Sequence, residues 1–302
     1  MSHQDASVKS ILFALLANLG IAVTKTVAAV ITSSGAMLAE SIHSFADCGN
    51  QGLLFLGLRA AKKQPDKEHP LGYGKEIYFW SFIVALILFS MGGLFSVYEG
   101  IHKLSTHEGL RSPMIAVVVL ILSLLLEAAS LIGCLSQIKK LRHGESLLTW
   151  VKNSRKSELI VVLGEDTAAL MGLSLALVAV ILSIITGNPV YDAMGSIGIG
   201  TLLIVISFFL AFKVKSLLIG QSTDDETDRK IKLFLEARPE VERILNLITI
   251  QLGPDIMLAV KAKMAGAGSA EELIGHINTC EAELKREFPE VQWVFFEPDV
   301  KE

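Results

Sequence analysis

The chain has 302 residues, 51% of them hydrophobic, and a formal net charge of −4; its mean hydropathy is +0.52. That is too apolar for a soluble protein of this length, and the mildly acidic balance leaves no basic footprint for nucleic acid. Cys48, Cys134 and Cys280 show no CxxC spacing, which speaks against a disulfide framework or a thiolate zinc site and for small core residues.

Six apolar segments are long enough to cross a bilayer, which takes roughly 20 helical residues. They run over 10–31, 36–58, 78–101, 113–138, 158–186 and 192–214. Lys9 ahead of the first apolar run has the look of a signal peptide. Five more spans follow and no small-residue cleavage site is evident, so the segment reads as a first helix. The 2–3 connection carries Arg59, Lys62, Lys63, Lys67 and Lys75, and the 4–5 connection carries Lys139, Lys140, Arg142, Lys152, Arg155 and Lys156. The 1–2 and 5–6 connections have no Lys or Arg, and the 3–4 connection has Lys103 and Arg111. The basic loops are therefore expected on the cytoplasmic side, with both termini.

After Lys213 the pattern changes to charged, alternating segments. Thr223-Asp-Asp-Glu226 reads as a capping box opening a helix to about Arg238. Strands are expected at 244–252 and 256–264, split by a Gly253-Pro254-Asp255 turn, then a helix over 270–288 and a last strand over 291–297. The expected architecture is an α-helical membrane protein: six transmembrane helices over 1–215, then a small α+β cytoplasmic domain over 216–302. The order α-β-β-α-β gives that domain a ferredoxin-like sheet with two helices on one face.

Polar residues inside the spans need a reason, because an Asp at a helix centre costs about 2.5–3.5 kcal/mol on insertion scales. In the second span Glu40, His43, Asp47 and Asn50 recur at steps of three and four, which places them on one stripe. His43 and Asp47 lie one turn apart and can converge on one ion, and imidazole plus carboxylate suits Zn²⁺ and similar first-row metals. The fifth span adds Glu165 and Asp166. Neighbours on a helix diverge by about 100°, so one faces the site while the other takes a second partner or a proton. Of the other buried polar groups, Lys25 is placed to snorkel to the interface. Glu127 needs a partner, with Lys25 or a water cavity as candidates. Asn18 reads as an interhelical hydrogen-bonding group, and Glu99 and Asp192, near span ends, read as structural.

In the 2–3 connection Asp66, Glu68 and His69 form a surface cluster with no second histidine, so a loop role is favoured over a metal site. The glycines beside Lys75 lack the GxxxxGK[ST] spacing, which removes support for ATP-driven pumping within this chain. A membrane metalloenzyme would need a motif such as HExxH, and His43 has no histidine partner four residues away. No catalytic or cofactor-binding residue is assigned.

Six spans, "GAMLAESIHSFAD", "HPLGYGKE" and "VVLGEDTAALMG" together resemble the cation diffusion facilitator family of metal transporters, the last stretch being similar to its zinc transporter nine branch. The resemblance covers nearly the whole chain. It implies a secondary active divalent metal transporter, a zinc/proton antiporter exporting metal from the cytoplasm, with metal ion, protons and lipid bilayer as partners. It also implies a homodimer whose C-terminal domain dimerises and senses metal. Family ligands carried onto this chain fall on His43, Asp47 and Asp166. The remaining family ligand falls on Val162, which leaves Glu165, a water or Glu127 as the fourth. One imidazole among carboxylates is an oxygen-rich set that also suits Mn²⁺, Fe²⁺ or Co²⁺, and the Val162 departure keeps a non-transporting regulatory role in view. In the C-terminal domain His276, with Glu297 and Asp299, is the candidate metal position. A bacterial inner membrane is expected over an organellar one.

Overall fold

The computed structural model describes residues 3–106, 112–142, 144–266 and 268–301, with side chains from Asn18 onward. The side chain of Lys9, and Arg111 altogether, lie outside the described residues. The chain forms two compact units. One comprises 1–56, 80–145 and 158–213; the other comprises 57–79, 146–157 and 214–302.

The first unit is built from long helices: α1 (His3–Thr32), α2 (Gly35–Ala60), α3 (Glu76–Ile87), α4 (Phe95–Thr106), α5 (Pro113–Leu141), α7 (Ser157–Thr186) and α8 (Val190–Ile219), while the short α6 (Leu147–Asn153) falls in the second unit. A π-helical segment, Leu88–Leu94, joins α3 to α4, so the third span is one continuous helical rod over Glu76–Thr106. Among the described residues four rods are long and apolar enough to cross a membrane: 76–106, α5, α7 and α8. The part of α1 whose side chains are described, Asn18–Thr32, is a shorter apolar helix. In α2, the second of the six expected spans, Glu40, His43, Asp47 and Asn50 interrupt the apolar pattern.

Small residues let these helices approach. A Cβ on Gly100 would stand 2.7 Å from the Ala193 carbonyl of α8, and one on Gly200 of α8 would stand 2.6 Å from the Gly93 carbonyl. Such close backbone contact replaces the hydrophobic drive that helices lack among lipids. The start of α2 is held by Asp192 of α8, which accepts from the Ser34 hydroxyl at 2.6 Å and the Gly35 N–H at 2.7 Å. An anion there satisfies otherwise unpaired N–H groups and complements the helix dipole. Lys103 of α4 lies 3.7 Å from the same carboxylate and donates to the Ser33 carbonyl. The structural reading of Asp192 fits these contacts. Asn18 donates to Gln51 of α2 at 3.1 Å, the interhelical bond expected of it.

In the second unit, α9 (Asp225–Glu236), β1 (Val241–Leu252), β2 (Asp255–Met264), α10 (Ala270–Glu287) and β3 (Val291–Pro298) follow the expected α-β-β-α-β order. β1 pairs antiparallel with β2, and β2 pairs parallel with β3, giving the order β1-β2-β3. Alternate residues of the strands pack Ile244, Ile256, Leu258, Val260 and Val291 against Ile231 and Leu235 of α9 and Cys280 and Leu284 of α10. All three cysteines are buried and free. The capping box expected at Thr223–Glu226 is not the cap that forms. Asp224 caps α9 by accepting from the Thr227 N–H at 3.0 Å, while buried Thr223 turns its N–H to the Thr249 hydroxyl of β1. Its tie to the sheet displaces Thr223 from the cap position.

The "HPLGYGKE" segment belongs to this unit and docks on the β1–β2 turn. The Gly253 N–H donates to the Tyr78 hydroxyl at 3.0 Å, and Tyr78 is fully buried. Gly74 lies flat against the Leu252 carbonyl, where no Cβ fits. Gly74→Ala must therefore push the segment off the turn, because the obstacle is backbone and cannot rotate away. We expect it to cost about 1–3 kcal/mol and to open the 62–75 connection to proteolysis, read by limited trypsin digestion beside thermal unfolding of the full chain.

Candidate functional site

The polar stripe of α2 is buried as its periodicity predicts: Glu40 and Asn50 are fully buried, His43 is 1% exposed and Asp47 is 16% exposed. His43 Nε2 stands 3.5 Å from Asp47 Oδ2. Neither ring nitrogen of His43 has a hydrogen-bond partner among the described residues, and neither do Asp47 Oδ1, Asn50 Oδ1 or either carboxylate oxygen of Glu40. Unsatisfied buried polar atoms are costly, on the order of 1–3 kcal/mol each, and they cluster here on one helix face. Imidazole nitrogen and carboxylate oxygen, the donor types of His43 and Asp47, are ones a divalent cation would satisfy.

The third span is shaped to this spot. The π segment brings Gly92 against α2, where a Cβ would stand 3.9 Å from His43 Nδ1. One-turn π insertions recur at functional positions. The Met91-Gly-Gly93 run was the sequence signal for this local break.

Glu165 and Asp166 part company as neighbours on a helix must. Glu165, 5% exposed, faces α2 and accepts from the Asn50 amide at 2.5 Å. Asp166 is partly buried and faces α5, where the Ser130 hydroxyl donates to its Oδ2 at 3.2 Å. The α7 carboxylate that meets the α2 stripe is therefore Glu165, although sequence reasoning put Asp166 first. No group of three or more His, Cys, Asp or Glu side chains placed to hold a metal occurs among the described residues. His43 and Asp47 stand together, and Asp166 stands apart from them. Val162, at the remaining family position, offers no donor atom.

Lys25 does not snorkel. It is fully buried in α1, donates to Ser44 of α2 at 2.8 Å, and lies 3.5 Å from Glu40 and 4.0 Å from Glu127 of α5. Lys25 is thus the partner of Glu127, and it ties Glu40 of the α2 stripe as well. Glu40 also abuts Gly172 of α7, whose added Cβ would fall 2.5 Å from Glu40 Oε1.

The other candidate clusters are occupied differently. Asp66 accepts from the Tyr73 hydroxyl at 2.6 Å and from the His69 and Glu68 N–H groups, so it organises its own loop. The Tyr73 bond holds the Asp66 carboxyl below the usual carboxylate range and pushes the phenol up to about 12. In the C-terminal domain Lys261 lies 2.8 Å from Asp299 and 3.9 Å from Glu297. Its bond to Asp299 lowers that carboxyl and raises the ammonium. Both acids are engaged by a cation, and the structure does not gather them with His276.

The cation efflux transmembrane domain matches residues 11–219, more than half of the chain. The chain belongs to the cation efflux family. It is an integral membrane protein of that family with a C-terminal three-stranded α+β domain. Among curated relatives it is 36% identical over 231 residues to the proton-coupled mitochondrial zinc antiporter of Mus musculus, covering 76% of this chain and 41% of that protein. It is 34% identical over 225 residues to metal tolerance protein C4 of Arabidopsis thaliana, covering 74% of this chain and 49% of that one. It is 24% identical over 264 residues to the magnetosome protein MamB of Magnetospirillum gryphiswaldense, covering 86% and 83%. The chain thus spans less than half the length of the first two relatives.

The buried ion pair gives the site its first test. Removing one partner of such a pair leaves the other charge stranded at a cost of about 3–5 kcal/mol. Lys25→Met and Glu40→Gln should each lower thermal stability by that order, and the double variant should lose less than the two singles combined. Thermal unfolding of all three in detergent reads this coupling, and additive losses would remove the pair.

Proposed function

We propose that the protein is a secondary active divalent metal transporter whose ion sits in the membrane unit against His43 and Asp47. Glu165 and Asp166 of α7 are the carboxylates that complete the site. The observation that carries this reading is the buried, hydrogen-bond-free His43 imidazole 3.5 Å from an Asp47 carboxylate. A stranded imidazole and carboxylate in a dry bundle are expensive unless a cation joins them. An ATP-independent mechanism suits the chain, since no phosphate-binding loop is present in the sequence.

Zinc is the favoured substrate, supported by the name of the mouse relative as a proton-coupled zinc antiporter. The carboxylate-rich donor set and the relationship to a magnetosome protein favour testing Mn²⁺, Fe²⁺ and Co²⁺ beside it. Antiport with protons follows from ligand chemistry. Imidazole and carboxylate bind metal only when deprotonated, so protonation from the far side releases the ion and metal loading releases protons. The transported ion crosses by alternate exposure of the site to each side as the helices move around it.

Export from the cytoplasm rests on the basic 2–3 and 4–5 connections, which place those loops, both termini and the C-terminal domain on the cytoplasmic side. A homodimer is the favoured assembly. The C-terminal sheet leaves Ile248 and Phe295 half exposed or more, apolar area that a second copy would cover. The relatives named above lend no support to a bacterial inner membrane over an organelle, since the mouse protein is named as mitochondrial.

Proteoliposomes loaded with a metal-sensitive dye test the reading. Zn²⁺ should enter the lumen down an imposed pH gradient, and Asp47→Ala should reduce the initial rate at least tenfold. Flux that survives Asp47→Ala would remove the site. A parent protein silent with every metal and gradient would favour a regulatory, non-transporting role.

A further inference from the structure

Helix α5 is poorly covered by the rest of the chain. Met114, Leu122, Leu125, Leu126 and Ile132 are each more than half exposed, as lipid-facing side chains would be. On this apolar rod Glu127 and Ser130 lie three residues apart and so share a face. Each meets a charged residue of another helix: Glu127 lies 4.0 Å from Lys25 of α1, and Ser130 donates to Asp166 of α7 at 3.2 Å. A hydroxyl donating to a carboxylate is a directional contact, here a long one at an exposed position.

The residue that Ser130 holds is one of the two α7 carboxylates placed at the site above. In this structure Asp166 meets Ser130 of α5 and Glu165 meets Asn50 of α2. An ion held by His43 and Asp47 would compete with Ser130 for the Asp166 carboxylate.

We propose that Ser130 is a positioning residue that holds Asp166 on the α5 side when no metal is bound. Metal binding then exchanges the Ser130 hydroxyl for the ion as a partner of the carboxylate. Glu127, one turn away, keeps α5 in register against α1 through Lys25 while this happens. The proposal rests on the reading of His43, Asp47 and Asp166 as ligands. It fixes a sign: a ligand binding only the released state sees its affinity divided down by the fraction released. Removing the hydroxyl must therefore tighten metal binding. A hydroxyl that instead oriented Asp166 on the bound metal would give the opposite sign, because loss of such an outer partner weakens affinity.

The test uses the full chain in nanodiscs of neutral lipid, with Co²⁺ as the probe and its visible d–d absorption as the readout of coordination. Ser130→Ala should bind Co²⁺ about fivefold more tightly than the parent. Ser130→Thr, which keeps the hydroxyl, should return to parent affinity and controls for packing at this exposed position. Asp47→Asn should remove the intramembrane band in either background. A band that survives Asp47→Asn overturns the site and this proposal with it. Loss of the band in Asp47→Asn with unchanged or weaker binding in Ser130→Ala overturns the proposal alone.

Discussion

Lys25 is fully buried, donates to Ser44, and has Glu40 at 3.5 Å and Glu127 at 4.0 Å. An ammonium inside a bilayer is tolerable only beside carboxylates, and carboxylates there are tolerable only beside a cation. The contacts of Lys25 join α1, α2 and α5, one turn from His43 along α2. Asp47 faces His43 instead. Glu165 and Asp166 of α7 are met by neutral donors, Asn50 and Ser130. The membrane unit thus separates the Lys25 ion pair from acids met by neutral groups or by His43.

The start of α2 carries a second fixed point. Asp192 accepts from Ser34 and Gly35, with Lys103 close by. Glu40, His43, Asp47 and Asn50 are presented by a helix held at its N-terminus by α8 and at mid-length by Lys25. The third span meets that helix through a π segment, whose Gly92 leaves room beside His43. Helix α2 is thus held at two points beside a locally irregular neighbour.

Much of this was legible in the residues. The 3–4 spacing of Glu40, His43, Asp47 and Asn50 required one buried face, because a helix repeats every 3.6 residues. The elements of the C-terminal domain fell close to their expected bounds, since alternation and the Gly253 turn are local properties. The Thr223 cap was misplaced for a nonlocal reason: its N–H is bound to Thr249, some way along the chain in β1. Lys25 looked able to snorkel because the sequence does not show that Glu40, Ser44 and Glu127 surround it. The role of Gly74 was invisible for the same reason, as only docking on the β1–β2 turn removes the space for a side chain.

What the sequence determined by itself was the helical membrane architecture, the α+β domain that follows it, and the His43–Asp47 face. All of these follow from hydropathy and periodicity along a single strand of chain. Which of Glu165 and Asp166 turns to α2 was decided only by the tertiary structure. The two differ by about 100° on one helix, and the rotation of α7 is set by Asn50 on one side and Ser130 on the other. The burial of Lys25 was decided in the same way, because a charge's cost depends on partners that two other helices supply.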